Sequence, residues 1–287
     1  MLLPGHDTVN SHVYRAMRIV LVSDSHLAAS APAFNANWLA AKAFAARAGA
    51  DLTVHLGDIT LDGARDSTQH AFALGACGEW PTPLRFLPGN HDIGDNPPSP
   101  GAVADEPLDL ALLAQYRRQF GPDRWRLPAG DWLVLGLNAQ LLGSGTAAEA
   151  EQWAWLDSEL ATAARKPVAL FIHKPLFLDD PGAASPPLIR YVPIEPRQRL
   201  LKFLARVDLR LVVSGHTHQY LDRVIDGVRH IWVPSTAFII PDDKQDRVGE
   251  KLTGLGLLDL TPTGSRFDLV CPEGMTRHDI CELGITM

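Results

Sequence analysis

Cysteine is scarce in this chain of 287 residues, which holds three. Cys77, Cys271 and Cys281 are odd in number and show no C-x-x-C spacing. That excludes a disulfide framework and points to buried or idle thiols in a reducing compartment. No stretch approaches the roughly 18 uninterrupted apolar residues of a membrane-spanning helix. The start, Met-Leu-Leu-Pro-Gly-His-Asp, lacks the basic and apolar regions of a secretory leader. A cytoplasmic protein with no membrane partner is expected. Basic residues are also in short supply, with 26 Lys and Arg against 33 Asp and Glu, a net charge of −7, and no long basic run. General nucleic-acid affinity rests on lysines and arginines that neutralise phosphates, so no nucleic-acid partner is expected. Internal repeats, low-complexity tracts and collagen-like glycine periodicity are missing too. A 46% hydrophobic content with 23 Gly and 22 Pro is that of an ordinary globular protein. The length admits one or two domains with a sizeable core.

Short apolar, β-rich runs lie at 18–23, 52–56, 84–87, 132–137, 168–172, 209–214, 230–233 and 255–260. Most are continuously apolar, as in strands buried on both faces. Helix candidates fall between them at 36–48, 66–74, 108–120, 147–164 and 196–207, so strand and helix alternate and the class is α/β. Met17 directly precedes the first run, which makes residues 1–16, with His6 and His12, an N-terminal extension. Two segments rich in Pro, Gly and Asp, 93–107 and 176–196, are too long for plain connections and are expected to frame a site. The tail from Leu255 reads as a closing strand pair or a dimer contact, which leaves the oligomeric state open.

Five of the apolar runs end in polar signatures, namely Asp24-Ser25-His26, Gly57-Asp58, Gly89-Asn90-His91-Asp92, His173 and Gly215-His216-Thr217-His218. In an open α/β sheet ligands bind at the carboxyl ends of strands, so these residues are expected to converge on one crevice. Carboxylate, amide and imidazole donors without thiolate suit Mn, Fe or Zn. Gly57 and Gly215 permit tight turns and close backbone approach beside the donors. Two ions of four protein ligands each, sharing one carboxylate, need seven groups. Asp24, His26, Asp58, Asn90, His173, His216 and His218 are seven.

The ordered set D-x-H, G-D, G-N-H-D, H, G-H-x-H resembles the calcineurin-like metallophosphoesterase superfamily, over about two thirds of the chain from Asp24 to His218. Lesser echoes are Phe120-Gly121-Pro122, the 152–156 stretch and Lys174-Pro175. They look most like the bacterial branch of class III cyclic-nucleotide phosphodiesterases and glycerophosphodiesterases. Leu61 stands where purple acid phosphatases carry tyrosine, which disfavours that branch. The resemblance implies a four-layer α/β/β/α sandwich of two mixed β-sheets flanked by helices. It puts Asp24, His26, Asp58 and His218 on one metal ion and Asp58, Asn90, His173 and His216 on the other, with Asp58 bridging. The two ions would be divalent or mixed-valence. His91, free of metal, becomes the candidate catalytic acid, and a metal-bridging hydroxide the nucleophile. Many relatives carry Asp or Asn at the Leu61 position to orient that histidine, so Asp62 and Asp92 are the substitutes to examine.

Because 24–218 must share one crevice, residues 17–287 are expected to form a single metallophosphoesterase domain. The expected activity is hydrolysis of small-molecule phosphodiesters. Phosphomonoesterase or nucleotide and sugar pyrophosphatase activity is the alternative, and a scaffold without catalysis is disfavoured because every ligand position is filled. His55, inside a strand run, and His70, on a helix, are expected to be core or surface residues, although His55 lies near enough to Asp58 to support the site from behind. Trp38, Trp153 and Trp155 are expected to be packing residues. Among Arg117, Arg118, Lys174 and Arg190, Lys174 is the first candidate to reach a phosphate because it adjoins His173.

Overall fold

The computed structural model describes residues 16–163, 165–186 and 189–283. The extension read over 1–16, apart from its last residue, lies outside the described residues. The chain opens with a β-α-β-α-β unit, comprising β1 (Met17–Val22), α1 (Pro32–Ala45), β2 (Leu52–His55), α2 (Thr68–Ala76) and β3 (Leu84–Phe86). A short turn of helix, α3 (Asn90–Ile93), and α4 (Leu110–Phe120) follow. Next come β4 (Trp125–Ala129), β5 (Trp132–Leu137), α5 (Ala147–Thr162), β6 (Pro167–Ile172), α6 (Ile194–Leu204) and β7 (Asp208–Ser214). Two strand pairs end the chain, β8 (Leu221–Ile225) with β9 (Val228–Trp232) and β10 (Leu255–Thr261) with β11 (Gly264–Val270).

Two mixed sheets result, in strand orders β11-β10-β1-β2-β3 and β4-β5-β6-β7-β9-β8. β1, β2 and β3 run parallel, as do β5, β6, β7 and β9, so their carboxyl ends point one way within each sheet. β10 lies antiparallel to β1 with Met17 opposite Leu260, which returns the end of the chain to its start. The tail is thus a closing strand pair.

The continuously apolar runs divide their residues between two faces, as strand alternation requires. Ile19 and Leu21 of β1 pack between the sheets with Val134, Phe171, Val213 and Leu258. Val20 and Val22 point the other way, onto Trp38 and Ala41 of α1, Ala73 of α2 and Leu113 of α4. In the second sheet Leu133, Leu135 and Leu137 meet Trp153 and Leu156 of α5 and Leu200 and Leu204 of α6. The layers are therefore α/β/β/α. Trp38 and Trp153 are buried packing residues whose indole N–H groups donate to Ala76 O at 3.0 Å and Glu149 Oε1 at 3.0 Å.

The strands β4, β8 and β11 have no counterpart among the apolar runs. β4 carries Pro128 and sits at a sheet edge, where a missing N–H costs little. β8, Leu221-Asp222-Arg223-Val224-Ile225, alternates in exposure rather than in polarity and joins β9 through Asp226-Gly227, both at positive φ (50° and 82°). That is the two-residue hairpin turn an Asp-Gly pair favours. Helix α1 begins four residues before the apolar spacing suggests, because Pro32 fits the first turn, where its missing N–H is no loss. No helix among the described residues is long and apolar enough to cross a membrane.

Leu21→Ala removes a side chain with no exposed surface from between the sheets. It is expected to lower the unfolding free energy by about 2–5 kcal/mol. Leu39→Ala, at a residue 62% exposed, is expected to change it by less than about 0.5 kcal/mol. Urea denaturation of the two variants measures both.

Candidate metal centre

Eight polar side chains leave the carboxyl ends of five parallel strands and meet where the two sheets abut. Asp24 and His26 follow β1, Asp58 follows β2, Asn90 and His91 follow β3, His173 follows β6, and His216 and His218 follow β7. Asp24, His26, Asp58, His216 and His218 all have left-handed backbone, with φ of 50°, 46°, 51°, 69° and 54°. Non-glycine residues rarely adopt this conformation, and clusters of it mark sites whose surroundings over-determine the chain. The kinks are held by hydrogen bonds from one ligand loop to the next. Asp24 N donates to Gly57 O at 3.0 Å, His26 N to Asp58 O at 3.1 Å and Gly215 N to His173 O at 2.9 Å. A Cβ on Gly57, at φ 114°, would collide with the His173 ring, and one on Gly215 with Ser23 Oγ and Asp24 Oδ2. Both glycines therefore give the close approach expected of them.

Two groups of donors face inward. Asp24, His26 and His218 form one, and Asp58, His173 and His216 the other. In the first, His218 Nδ1 donates to Phe238 O at 3.0 Å, which leaves the Nε2 lone pair aimed at His26 Nε2 (3.2 Å) and Asp24 Oδ1 (3.5 Å). Asp24 Oδ2 is already satisfied by Ser23 Oγ and by His216 N at 3.0 Å, whereas Oδ1 is buried without a hydrogen bond. In the second, His173 Nδ1 donates to Leu56 O at 2.9 Å. Its Nε2 then faces Asp58 Oδ2 at 3.3 Å, His216 Nδ1 at 3.1 Å and Asn90 Oδ1 at 3.4 Å. Lone pairs crowded this closely, in residues almost without exposed surface, repel one another unless a cation lies among them. Nitrogen and oxygen donors at these separations fit a shared metal ion about 2.0–2.2 Å from each.

Electrostatics agree with that fit. Burial, joined by neighbouring imidazoles, holds His26 and His216 well below the ordinary histidine range. Burial also pushes His218 down to about 4. All three are neutral, the form that ligates. Burial raises Asp24 to about 7. Burial would raise Asp58 as well, but His173 and His91 overcome it and hold that carboxyl well below its usual range. His173 is pushed down by burial and lifted by Asp58 to about 9, so a proton and a metal ion compete for the same lone pair.

His91 sits beside the two groups. Its backbone N–H donates to Asp58 Oδ1 at 2.9 Å, its ring stands edge-on to His26 at 4.9 Å between centroids, and its Nδ1 is buried without a partner. Among the described residues, neither Asp62 nor Asp92 is hydrogen-bonded to that ring. Asp62 is partly exposed near Arg65. Asp92 is fully buried and accepts from Ile59 N at 3.0 Å, Thr60 N at 2.9 Å and Gly89 N at 2.9 Å. It therefore straps the loop of Asp58 to the loop of Asn90 and positions backbone rather than the imidazole. His55 does support the site from behind. It accepts from Gly57 N at 3.3 Å through Nδ1 and meets Ser25 Oγ at 2.8 Å through Nε2, and burial lowers it to about 3.

These groups open into a cavity of about 510 Å³ lined by Asp58, Asn90, His91, His216 and His218 together with Arg65 and Arg190. Lys174, expected to reach phosphate, does not line it. Its ammonium is buried against Asp95 Oδ1 and Asn96 Oδ1, the latter at 2.6 Å, and burial lowers its pKa. Lys174 adjoins His173 in sequence, but the chain bends at these two residues, and the buried Asp95 takes its side chain away from the cavity. Arg190, from the second long loop, reaches Asp95 and Asp105 of the first at 3.0 and 3.4 Å, so the two loops that frame the site are clamped together. Arg117 is occupied with Asp123 at 2.7 Å. Gln140, which sequence reasoning missed, is buried between Asn90 and Asp95, where the amide orientation that satisfies both neighbours accepts from Asn90 N at 3.2 Å and donates to Asp95 Oδ1 at 2.8 Å. Its only advance signal is its place just after the β5 run.

Gly215→Ala is expected to displace Asp24 and lower the metal content measured by elemental analysis, with an unchanged far-ultraviolet circular dichroism spectrum. Full metal content in that variant would contradict the close-approach argument. Lys174→Met removes the buried ammonium from Asp95, which keeps Arg190 as its partner, and is expected to cost about 1–3 kcal/mol in urea unfolding, with KM for a phosphoester little changed. A large KM rise at constant stability would restore the substrate role.

Residues 17–220 match the calcineurin-like phosphoesterase family. The chain is 29% identical over 170 residues to the serine/threonine-protein phosphatase CPPED1 of Danio rerio, which covers 56% of this chain and 50% of that protein. It is 27% identical over 228 residues to the 3′,5′-cyclic-nucleotide phosphodiesterase alr5338 of Nostoc sp., covering 75% of this chain and 74% of that one. The chain thus spans about half the length of the first of these relatives. In fold it is similar to a dimetal phosphatase from Danio rerio, with a TM-score of 0.60 at 14% identity over 90% of this chain and 100% of that one. The matched span holds all seven inward-facing donors and His91, and the chain belongs to the calcineurin-like phosphoesterase family.

Proposed function

We propose that the protein hydrolyses phosphodiesters of small molecules, of the cyclic-nucleotide or glycerophosphodiester kind, with two metal ions as its cofactor. The observation that carries this is the pair of buried donor groups whose lone pairs face one another within 3.5 Å. Asp24, His26, Asp58 and His218 would hold one ion and Asp58, Asn90, His173 and His216 the other, with Asp58 shared between them. Imidazole and oxygen donors suit Mn, Fe or Zn. When bound, the two ions supply Lewis-acid polarisation of phosphoryl oxygens and a lowered pKa for coordinated water.

The chain's own groups complete the chemistry. Asp58 fixes His91 through the backbone N–H, so the imidazole is presented to the same cavity as the donors. From there His91 donates a proton to the departing ester oxygen. Asp92 keeps the two loops that carry Asp58 and Asn90 at a fixed separation, and Gln140 holds the Asn90 backbone. The Arg190 clamp closes the frame around the substrate. Residues 17–287 are read as a single domain because both sheets feed one site, and three free thiols fit a reducing cytoplasm. The likeness to alr5338 favours diesters, whereas the likeness to CPPED1 favours a phosphomonoesterase.

His91→Asn is expected to lower kcat by about 10²–10⁴-fold while both ions are retained. Unchanged turnover in metal-loaded protein would remove His91 from the chemistry. Bis(p-nitrophenyl) phosphate is expected to be turned over faster than p-nitrophenyl phosphate, and the reverse order would establish the monoesterase reading.

A further inference from the structure

We propose that the C-terminal segment over 276–281 forms a wall of the substrate site that receives an apolar, ring-bearing substituent of the phosphoester. This deepens the phosphodiesterase reading and rests on it. The cavity that contains His91, His216 and His218 is lined further out by Ile240, Ile280 and Cys281. Ile280 and Cys281 lie well beyond residues 17–220, the span matched by the family.

The segment is built in rather than draped over. Asn37, fully buried on α1, donates to Thr276 O at 2.8 Å and accepts from Thr276 N at 2.8 Å. The same amide donates to Thr236 O at 2.9 Å, which ties the tail to the irregular segment that follows β9. Ile239 N donates to His278 O at 2.8 Å and Ile280 N to Ile239 O at 3.2 Å, a short parallel bridge. Cys281 N is capped by Asp279 Oδ1 at 2.9 Å. The segment it joins also carries Phe238, whose carbonyl orients His218 and whose ring lies 4.4 Å from His218 and 4.9 Å from His26. The wall and one group of donors thus share a single support.

Chemistry decides what this wall receives. A cavity of 510 Å³ lies within the range of about 300–1,000 Å³ typical of drug-sized ligands, so the site has room for a substituent beside the phosphoryl group. The charged part of the lining is largely self-neutralised. Arg65 is paired with Glu106 and Asp62, and Arg190 with Asp95 and Asp105. Lys244 stands more than half exposed beside Asp243. The charged lining therefore does not call for a second phosphate. Ile240 and Ile280 gain from contact with an apolar group, and burying one there contributes in proportion to its area. An aryl or base-like ring meets that demand, and a glycerol or ethanolamine arm does not.

The test uses the full chain, metal-loaded, with Cys271→Ser so that Cys281 is the exposed thiol and Cys77 the buried one. Iodoacetamide labelling of Cys281 is followed by mass spectrometry with phenylphosphonate or methylphosphonate, two non-hydrolysable anions that differ in the ring. Phenylphosphonate is expected to slow labelling as the site fills, and methylphosphonate at equal occupancy to leave it nearly unchanged. Equal protection by both, or by neither, overturns the proposal. In parallel, Ile240→Ala, at the half-buried residue of the wall, is expected to raise KM for bis(p-nitrophenyl) phosphate about tenfold, the loss of roughly 1.4 kcal/mol of contact, and to leave KM for glycerophosphoethanolamine unchanged. Equal change for both substrates counts against the wall. If the unsubstituted metal-loaded protein turns over neither diester, the diesterase reading falls, while the labelling contrast still decides whether the wall binds the ring.

Discussion

Burying lone pairs without supplying protons for them is the constraint on which the rest of this structure turns. Asp24, His26, Asp58, His173 and His218 have at most 2% of their surface exposed, and several of their donor atoms face only other donors. Isolated buried carboxylates and crowded imidazole nitrogens are costly. Asp58 and His173 offset part of it by pairing with each other, as their opposed shifts show, but nothing in the described chain does so for Asp24 Oδ1 or His216 Nε2. Cations do. The left-handed ligand loops, the glycines pressed against Asp24 and His173, and the carbonyls that fix the tautomers of His173 and His218 all serve to hold the donors in this otherwise unfavourable arrangement.

The same constraint explains why two sheets are needed. Asp24 and His26 come from the first sheet and join His218 from the second, and Asp58 from the first joins His173 and His216 from the second. Each donor group therefore straddles the sheet interface. The shared core of Ile19, Leu21, Val134, Phe171 and Val213 sets the separation at which the strand ends meet. Metal affinity and sheet packing are coupled through this geometry, and Asp92 and Gln140 fix the loops between them.

Much of this was legible in the residues. The continuously apolar runs announced strands covered on both faces, and the polar signatures that ended them announced the site, because both follow from local pattern. β8 was not, since Asp222 and Arg223 interrupt any apolar run there, although Asp226-Gly227 marked its turn. Lys174 was misjudged because adjacency along the chain says nothing about which face a side chain takes, and burial against Asp95 decided it. Asp92 and Gln140 act on backbone groups of distant loops, and such contacts appear only once the chain is folded. The apolar wall of Ile240, Ile280 and Cys281 was equally hidden, because the tail reaches the site through a bridge formed by residues about 40 positions apart.

Metal stoichiometry measured together with thermal unfolding, before and after chelation, tests the central claim most directly. The account predicts two ions per chain in the loaded protein and a melting temperature that falls on chelation and recovers when Mn²⁺ or Zn²⁺ is restored. A protein that binds no metal, or whose melting temperature is indifferent to it, would contradict the account.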